Sequence, residues 1–582
     1  MIVQRTTSLL AILAVVACAL FILSKSTNTT FETVSHVKFG PSRYIPTKFP
    51  SFEDIRHPFR PAAHEPPEQA HSTSGESKWF SDWKWLHPFS SSITLDEHRT
   101  VLPPLPERPP VYTFYEPNSK YDEAQEKADG QLLLAWRRAW YAKGFRPVVL
   151  SRAEAMKNPL YEEVQRRELK PELEQDFFKW LAWGHMGSGL FADWLCFPMA
   201  RYDDPIFLYL RAGAIPTHIT RFETLDRALF AGEKTRINDA IKFAIQDPRD
   251  GASSILSVIP PEFFAVEQSN ALAYYSQSVV TASYPQLAEK YASDAAAGRQ
   301  ALAELIDAHL HTTFLNSFPS GFTVLKPIPD HTTALVEPAM HLAQALSKCP
   351  SSELPGPCPP NRPNCQPCNS KSRSVSISQP KSFNNASDIY TIGVLPHPLT
   401  LITLQRGSDE VDTAYIRRET TRDPWLAEVT TELVGANRAG STRVVAFKEV
   451  VAGEEYAHRT FWMTVETLLA KEGEDLPSTL VSELSWNFGF KVDTEDAEDD
   501  AKKFQDEAKE QPSLVKEYEL IAKARNWLHD QPNRVGLRNI AEAWNLADIE
   551  VWRFVQAYRA RSVVERQRWE KEEQNFLGAR VD

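Results

Sequence analysis

The sequence predicts an α/β protein in which a parallel or mixed sheet is flanked by helices. Between Val111 and Met199 short β runs alternate with amphipathic helical stretches, and alternation of this kind yields a parallel sheet covered by helices. Residues 176–199 read DFFKWLAWGHMGSGLFADWLCFPM: a helix apolar nearly all round, a break at Gly184, Gly187 and Gly189, and a short apolar strand stopped by Pro198. A helix without a polar face belongs inside a core. The composition agrees, with 42% hydrophobic residues, 15 Trp, 17 Tyr and 31 Phe in 582 residues. A net charge of −12 argues against general nucleic-acid binding, because phosphate contacts need a basic face.

At the N-terminus, Leu9 to Leu23 is unbroken apolar sequence, and Thr6 to Ser24 carries no charge. As a helix this uncharged stretch would be about 28 Å long, close to a ~30 Å hydrocarbon core. It reads either as an uncleaved anchor (1–24) or as a signal peptide cut near Ala17-Cys18-Ala19. The apolar run continues through Phe21, Ile22 and Leu23, which favours the anchor. Both readings send the rest of the chain into the secretory lumen. Residues 25–110 are rich in Pro, Ser, His and charge and read as a stalk. Its aromatic segment KWFSDWKWLHPF, at 78–89, is expected to dock either on the main domain, the favoured reading, or at the membrane interface.

Order begins at Val111, opening an α/β domain expected over 111–345. YTFY (112–115) is a β run; Asp122 to Tyr141 is helical, with Leu132, Leu133, Trp136 and Trp140 on one face and Gly144 as its stop. PVVL (147–150) is a second strand, and Ser151 followed by Glu154 has the spacing of a capping box. Residues 217–318 read mainly as helices, among them 221–230, 236–245 and a long run from Pro261 to Leu315.

Cys349, Cys358, Cys365 and Cys368 cluster in a Pro-rich segment expected over 346–388. One CxxC is half of a zinc site at most, and in a lumen disulfides are the simpler account, with three pairings open. Cys18 and Cys196 lie in apolar sequence and read as inert thiols. YTIGVL, LTLITL and RVVAF continue the α/β pattern over 389–480, and 481–582 reads as helical. Asn28 and Asn385 begin glycosylation sequons. Arg417, Arg418 and Arg422 form the densest mixed-charge cluster, either a diphosphate clamp or a surface ion-pair network, the latter being the commoner. Ile540 to Val551 has helix-turn-helix spacing, but Asn545 at the turn and the acidic chain argue for two packed helices.

The acid within the apolar run is Asp193, and a buried carboxylate is costly unless paired or ligand-bound. His185, beside the glycine break, is a second candidate, as a cleft acid or base or as a packed core histidine. RPVVLSRAEAMKNPLY followed by FFKWLAWGHMGSGLFADWLCFPM resembles the nucleotide-sugar-binding half of GT-A-type glycosyltransferases. More closely, it resembles a group of fungal single-pass membrane proteins with that apparent core, a likeness that implies no established activity. In the enzymes a strand ends in Asp-x-Asp, whose carboxylates hold a divalent metal on the donor diphosphate. Here the matching triplet is Asp193-Trp194-Leu195, so the second acid is missing; Asp203 and Asp204 are the nearby candidates to replace it. The resemblance implies donor binding by Asp193, Asp203 and Asp204, with Asp193 as the ligand to Mn²⁺ or Mg²⁺ carried with a nucleotide-diphosphate sugar. It also implies a glycan or cell-wall acceptor, and a membrane-anchored protein of the Golgi lumen, with the cell surface as the alternative address.

Overall fold

The structure is a computed structural model that describes residues 63–67, 105–394, 448–463, 478–492 and 554–576, with short interruptions inside these ranges. The expected anchor, the aromatic segment at 78–89, LTLITL, RVVAF, the Arg417 cluster, Asn28, Asn385 and the Asn545 turn lie outside the described residues. Among the described residues no helix is long and apolar enough to cross a membrane.

The first sheet is built as the alternation predicts. Strand β1 (Pro110–Phe114) leads into helix α1 (Glu123–Ala142), then β2 (Arg146–Leu150), the short helices α2 (Arg152–Lys157) and α3 (Tyr161–Gln165), helix α4 (Pro171–Met186) and β3 (Gly189–Ala192). Asp122 caps α1 by accepting the Gln125 N–H, and Ser151 with Glu154 forms the expected capping box of α2. Strands β1, β2 and β3 are parallel and almost wholly buried, as near-continuous apolar runs should be in a parallel sheet.

Three further strands, β5 (Ile219–Phe222), β6 (Leu229–Gly232) and β7 (Phe264–Glu267), complete a six-stranded sheet of order β2-β1-β3-β6-β5-β7. Strand β6 runs antiparallel to both of its neighbours, so the sheet is mixed. The expected strand to Pro198 is two strands, β3 and β4 (Cys196–Pro198), separated by a turn at Asp193; β4 pairs in a separate ribbon with β8 (Leu272–Tyr274). Helices do predominate over 217–318, but the helix expected over 221–230 is corrected here, because β5 and β6 fall there, and β7 and β8 interrupt the helical run expected from Pro261. Runs such as ITRF and LFAG are four residues long, too short for an apolar period to separate strand from helix. Helix α6 (Lys234–Gln246) and the run α7 (Gln277–Ser283), α8 (Pro285–Ser293) and α9 (Ala295–Ser317) do form.

The two faces of the first sheet bury different helices. Tyr112 and Phe191 point with Phe177, Trp180, Trp183 and Ile241 into one core, built on α4 and α6. Val111, Leu190 and Ala192 point with Trp136, Trp140, Leu305 and Ile306 into the other, built on α1 and α9. That second core continues into another sheet, of order β10-β9-β11-β12 and parallel throughout: β9 (Gly321–Leu325), β10 (Ile377–Ser378), β11 (Ile389–Val394) and β12 (Thr460–Met463). The part expected over 389–480 therefore adds to a sheet that begins at β9, inside the expected 111–345 domain. Helix α10 (Glu337–Ser347) packs on β9, the short helix α11 (Glu454–Ala457) precedes β12, and α12 (Ser478–Phe488) packs on α1.

The four clustered cysteines form nested disulfides, Cys349–Cys368 and Cys358–Cys365, which fixes the pairing that the sequence left open. Cys196 is a free, buried thiol. Part of the expected helical C-terminal region, residues 557–574, is a helix (α13) lying against the edge strand β2, where the Val149 N–H donates to Glu573 Oε2 at 3.5 Å and Arg146 stands over the Trp569 ring. Covering an edge in this way removes a template for unwanted pairing.

Candidate functional site

In the first sheet β2 lies on one side of β1 and β3 on the other, with the helices that follow β1 and β2 on opposite faces. The strand order therefore reverses between β1 and β3, and ligands of open α/β sheets bind outside the carboxyl ends of the strands at such a point. Tyr115 follows β1 there, and Asp193 with Trp194 follows β3. The parallel register, Val111 beside Leu190 and Tyr112 beside Phe191, brings Tyr115 level with Trp194; their rings meet edge to face, 5.5 Å between centroids.

Asp193 is half-buried in the turn. Its Oδ1 accepts the Leu195 N–H at 2.9 Å, and its Oδ2 makes no hydrogen bond among the described residues. Burial raises the carboxyl above its ordinary pKa, against the opposing pull of Lys179, the Leu195 N–H and Arg227. Tyr274, hydrogen-bonded to Arg227, lies in the same electrostatic neighbourhood, and its phenol is pushed up by burial and by Asp193. Tyr115 is held from behind: its hydroxyl donates to Asp129 Oδ2 at 2.9 Å, and Asp129 Oδ1 lies 2.6 Å from Arg299 Nε. Asp129 is itself raised by burial, opposed by Arg299 and by the Tyr115 hydrogen bond. The result is a carboxylate with one open oxygen, two cations within its field, and a ring pair fixed in orientation.

The other expected site residues stand elsewhere. Asp203 receives two hydrogen bonds from Arg201, Nε to Oδ1 at 2.8 Å and Nη2 to Oδ2 at 3.0 Å, and this pairing keeps its carboxyl below the usual range. Asp204 caps helix α5 (Pro205–Arg211) through the Ile206 N–H. Neither acid appears among the charges acting on Asp193, so the three candidate acids fall into two groups. Among the described residues no three His, Cys, Asp or Glu side chains converge as a metal-binding group. His185 sits in the last turn of α4, half-buried against the His64 backbone, and burial lowers its pKa. That turn precedes β3 and lies at the opposite end of the strand from Asp193.

Sequence reasoning missed Tyr115, Asp129, Arg227, Tyr274 and Arg299. Asp129 carried a legible signal: it lies three and four residues before Leu132 and Leu133, on the buried face of α1. Arg299 carried none, because 170 residues separate it from Asp129 and only the packing of α9 on α1 joins them.

No curated protein and no solved structure matches the chain. A family profile matches residues 73–581, spanning the first sheet, the disulfide segment, the second sheet and α13. The chain therefore belongs to the family described as Domain of unknown function (DUF8765).

Proposed function

We propose that this chain is a membrane-anchored lumenal protein, with the Golgi as its address, whose GT-A-like core transfers a sugar from a nucleotide-diphosphate donor to a glycan or cell-wall acceptor. The observation that carries the reading is the open Oδ2 of half-buried Asp193 at the strand-order reversal, beside the Tyr115–Trp194 ring pair. The rings offer a stacking surface for a base or sugar. Lys179 and Arg227 offer positive charge toward a diphosphate. Asp193 would hold Mn²⁺ or Mg²⁺ in company with phosphate oxygens and water, an arrangement in which one or two carboxylates suffice. The bound cation would neutralise charge on the leaving diphosphate. Two disulfides fit an oxidising lumen.

A second reading, a non-catalytic secretory-pathway or cell-surface protein keeping a degenerate fold of this kind, is favoured by the engagement of Asp203 with Arg201 and of Asp204 with its helix. Thermal unfolding separates the two. Under the transferase reading, millimolar UDP or GDP with Mn²⁺ raises the melting temperature by roughly 2–4 °C. Asp193→Ala abolishes that rise. If neither nucleotide moves the wild-type transition, with or without metal, the second reading stands.

A further inference from the structure

A cavity of about 230 Å³ lies at the opposite end of the first sheet from Asp193. Its wall includes Leu105, Pro106 and Arg108, which precede β1, and Ala142 and Lys143, which precede β2, so it opens at the amino ends of these strands. Strands of five residues place it roughly 17 Å from the carboxyl-end site. Much of the rest of the wall comes from α1, α9, β11, α12 and α13, including the rings of Tyr141, Tyr390, Trp486 and Tyr558.

The charges in this wall are unequal. Arg108, Lys143 and Arg201 contribute cations to it, with the His458 ring beside them, against a single acid, Glu565. Most of the cations are already engaged. Arg201 is neutralised by Asp203 and also donates to the Ser317 carbonyl. Arg108 donates to the Tyr141 carbonyl and lies 3.8 Å over its ring. His458 stacks on Tyr202, 5.2 Å between centroids. Lys143 differs: among the described residues its ammonium makes no hydrogen bond or ion pair. Its field is set by Arg362 and Arg211, which repel it, and by Asp203 and Asp204, which attract it. A desolvated ammonium beside two guanidinium groups, on a residue that lines an aromatic-walled space, favours an anion that supplies the missing countercharge.

We propose that this cavity is a second ligand site, which takes a small ring-bearing organic anion, a carboxylate or phosphate monoester, with Lys143 receiving the anionic group and the aromatic wall receiving the ring. Burial, followed by the charges of Arg362 and Arg211, brings the Lys143 pKa down to about 8, in keeping with a cation that lacks its counter-ion.

Calorimetric titration of the full chain with phenyl phosphate, benzoate, inorganic phosphate and benzyl alcohol tests the proposal. Phenyl phosphate or benzoate binds, and benzyl alcohol and inorganic phosphate bind at least about tenfold more weakly, since ring and charge both contribute. Whichever of the two binds more tightly identifies the headgroup. Lys143→Gln weakens that binding about tenfold, Lys143→Arg retains most of it, and Asp193→Ala leaves it unchanged, which separates this site from the proposed transferase site. If Lys143→Gln fails to fold, amine-specific labelling of the wild-type chain replaces it: the bound anion protects Lys143 from modification. Binding of benzyl alcohol as tight as that of the better of the two anions, or undiminished labelling of Lys143 under saturating concentrations of that anion, overturns the proposal.

Discussion

His64 stands between two acids in the interior. Its Nδ1 lies 2.8 Å from Glu154 Oε1, its Nε2 lies 3.1 Å from Glu573 Oε1, and its backbone N–H also donates to Glu154. Burial alone would lower the imidazole pKa, but the hydrogen bonds and charges of Glu154 and Glu573 outweigh it and lift the value from 6.5 to about 9. A group whose pKa is raised on folding stabilises the native state fully below its unfolded value, and that contribution disappears as the pH passes the folded one. The window runs from pH 6.5 to about 9, and the contribution is on the order of 3 kcal/mol. Melting temperature recorded against pH should therefore fall across this window. In His64→Gln the slope should flatten and the overall stability should drop, because two buried carboxylates lose their counter-ion. An unchanged slope in that variant would exclude His64 as its source.

At the scale of elements, glycine sets how closely β11 and β12 pair. Gly393 lies opposite Trp462 in the parallel register, and a Cβ at that position would sit 2.1 Å from the Trp462 ring. Gly393→Ala must therefore displace the indole or part the strands. A cost of about 1–3 kcal/mol is expected from overpacking and should appear as a lower urea midpoint with an unchanged slope. Trp462→Leu should relieve it, and a double-mutant cycle between the two positions measures the coupling. The helix signals that held belong to the same scale. The Ser151–Glu154 capping box is a local device, satisfied within three residues of chain, and it forms where the sequence puts it; the Asp122 cap is equally local.

The molecule as a whole is joined by contacts between segments remote in sequence. Inside the disulfide segment, the Asn361 side chain donates to the carbonyls of Ser269 and Leu272 beside β8, Arg362 donates to the Asn270 carbonyl, and Gln366 exchanges hydrogen bonds with Asn316 at the end of α9. The bridge between Cys349 and Cys368, 19 residues apart, holds this segment closed. Removing it by Cys349→Ser with Cys368→Ser should cost about 3 kcal/mol by loop-closure entropy, read as a lower melting temperature. Reduction with dithiothreitol, which also opens Cys358–Cys365, should lower the melting temperature of the wild type by at least that loss and of the variant by less.

How much of this was legible follows from where each interaction lies along the chain. The sequence by itself determined the alternation of β1, α1, β2, α4 and β3, the Ser151–Glu154 capping box, the buried helix that begins the 176–199 stretch and the pairing of the clustered cysteines as disulfides rather than a metal site, because these depend on period, neighbouring residues and spacing. It marked Asp193 as the awkward acid; in the turn one of its oxygens accepts the Leu195 N–H. Only the tertiary structure decided that β5 to β8 are strands, that the cysteines pair in nested order, that β9 opens a second sheet, and that His64, in the stretch read as a stalk, is buried against Glu573. It alone joined Arg299 to Asp129 and put Lys143 in the wall of a cavity. The physical reason is common to all of these. Short apolar runs carry too little period to choose their state, and side-chain pairs hundreds of residues apart leave no pattern in the chain until the core has packed.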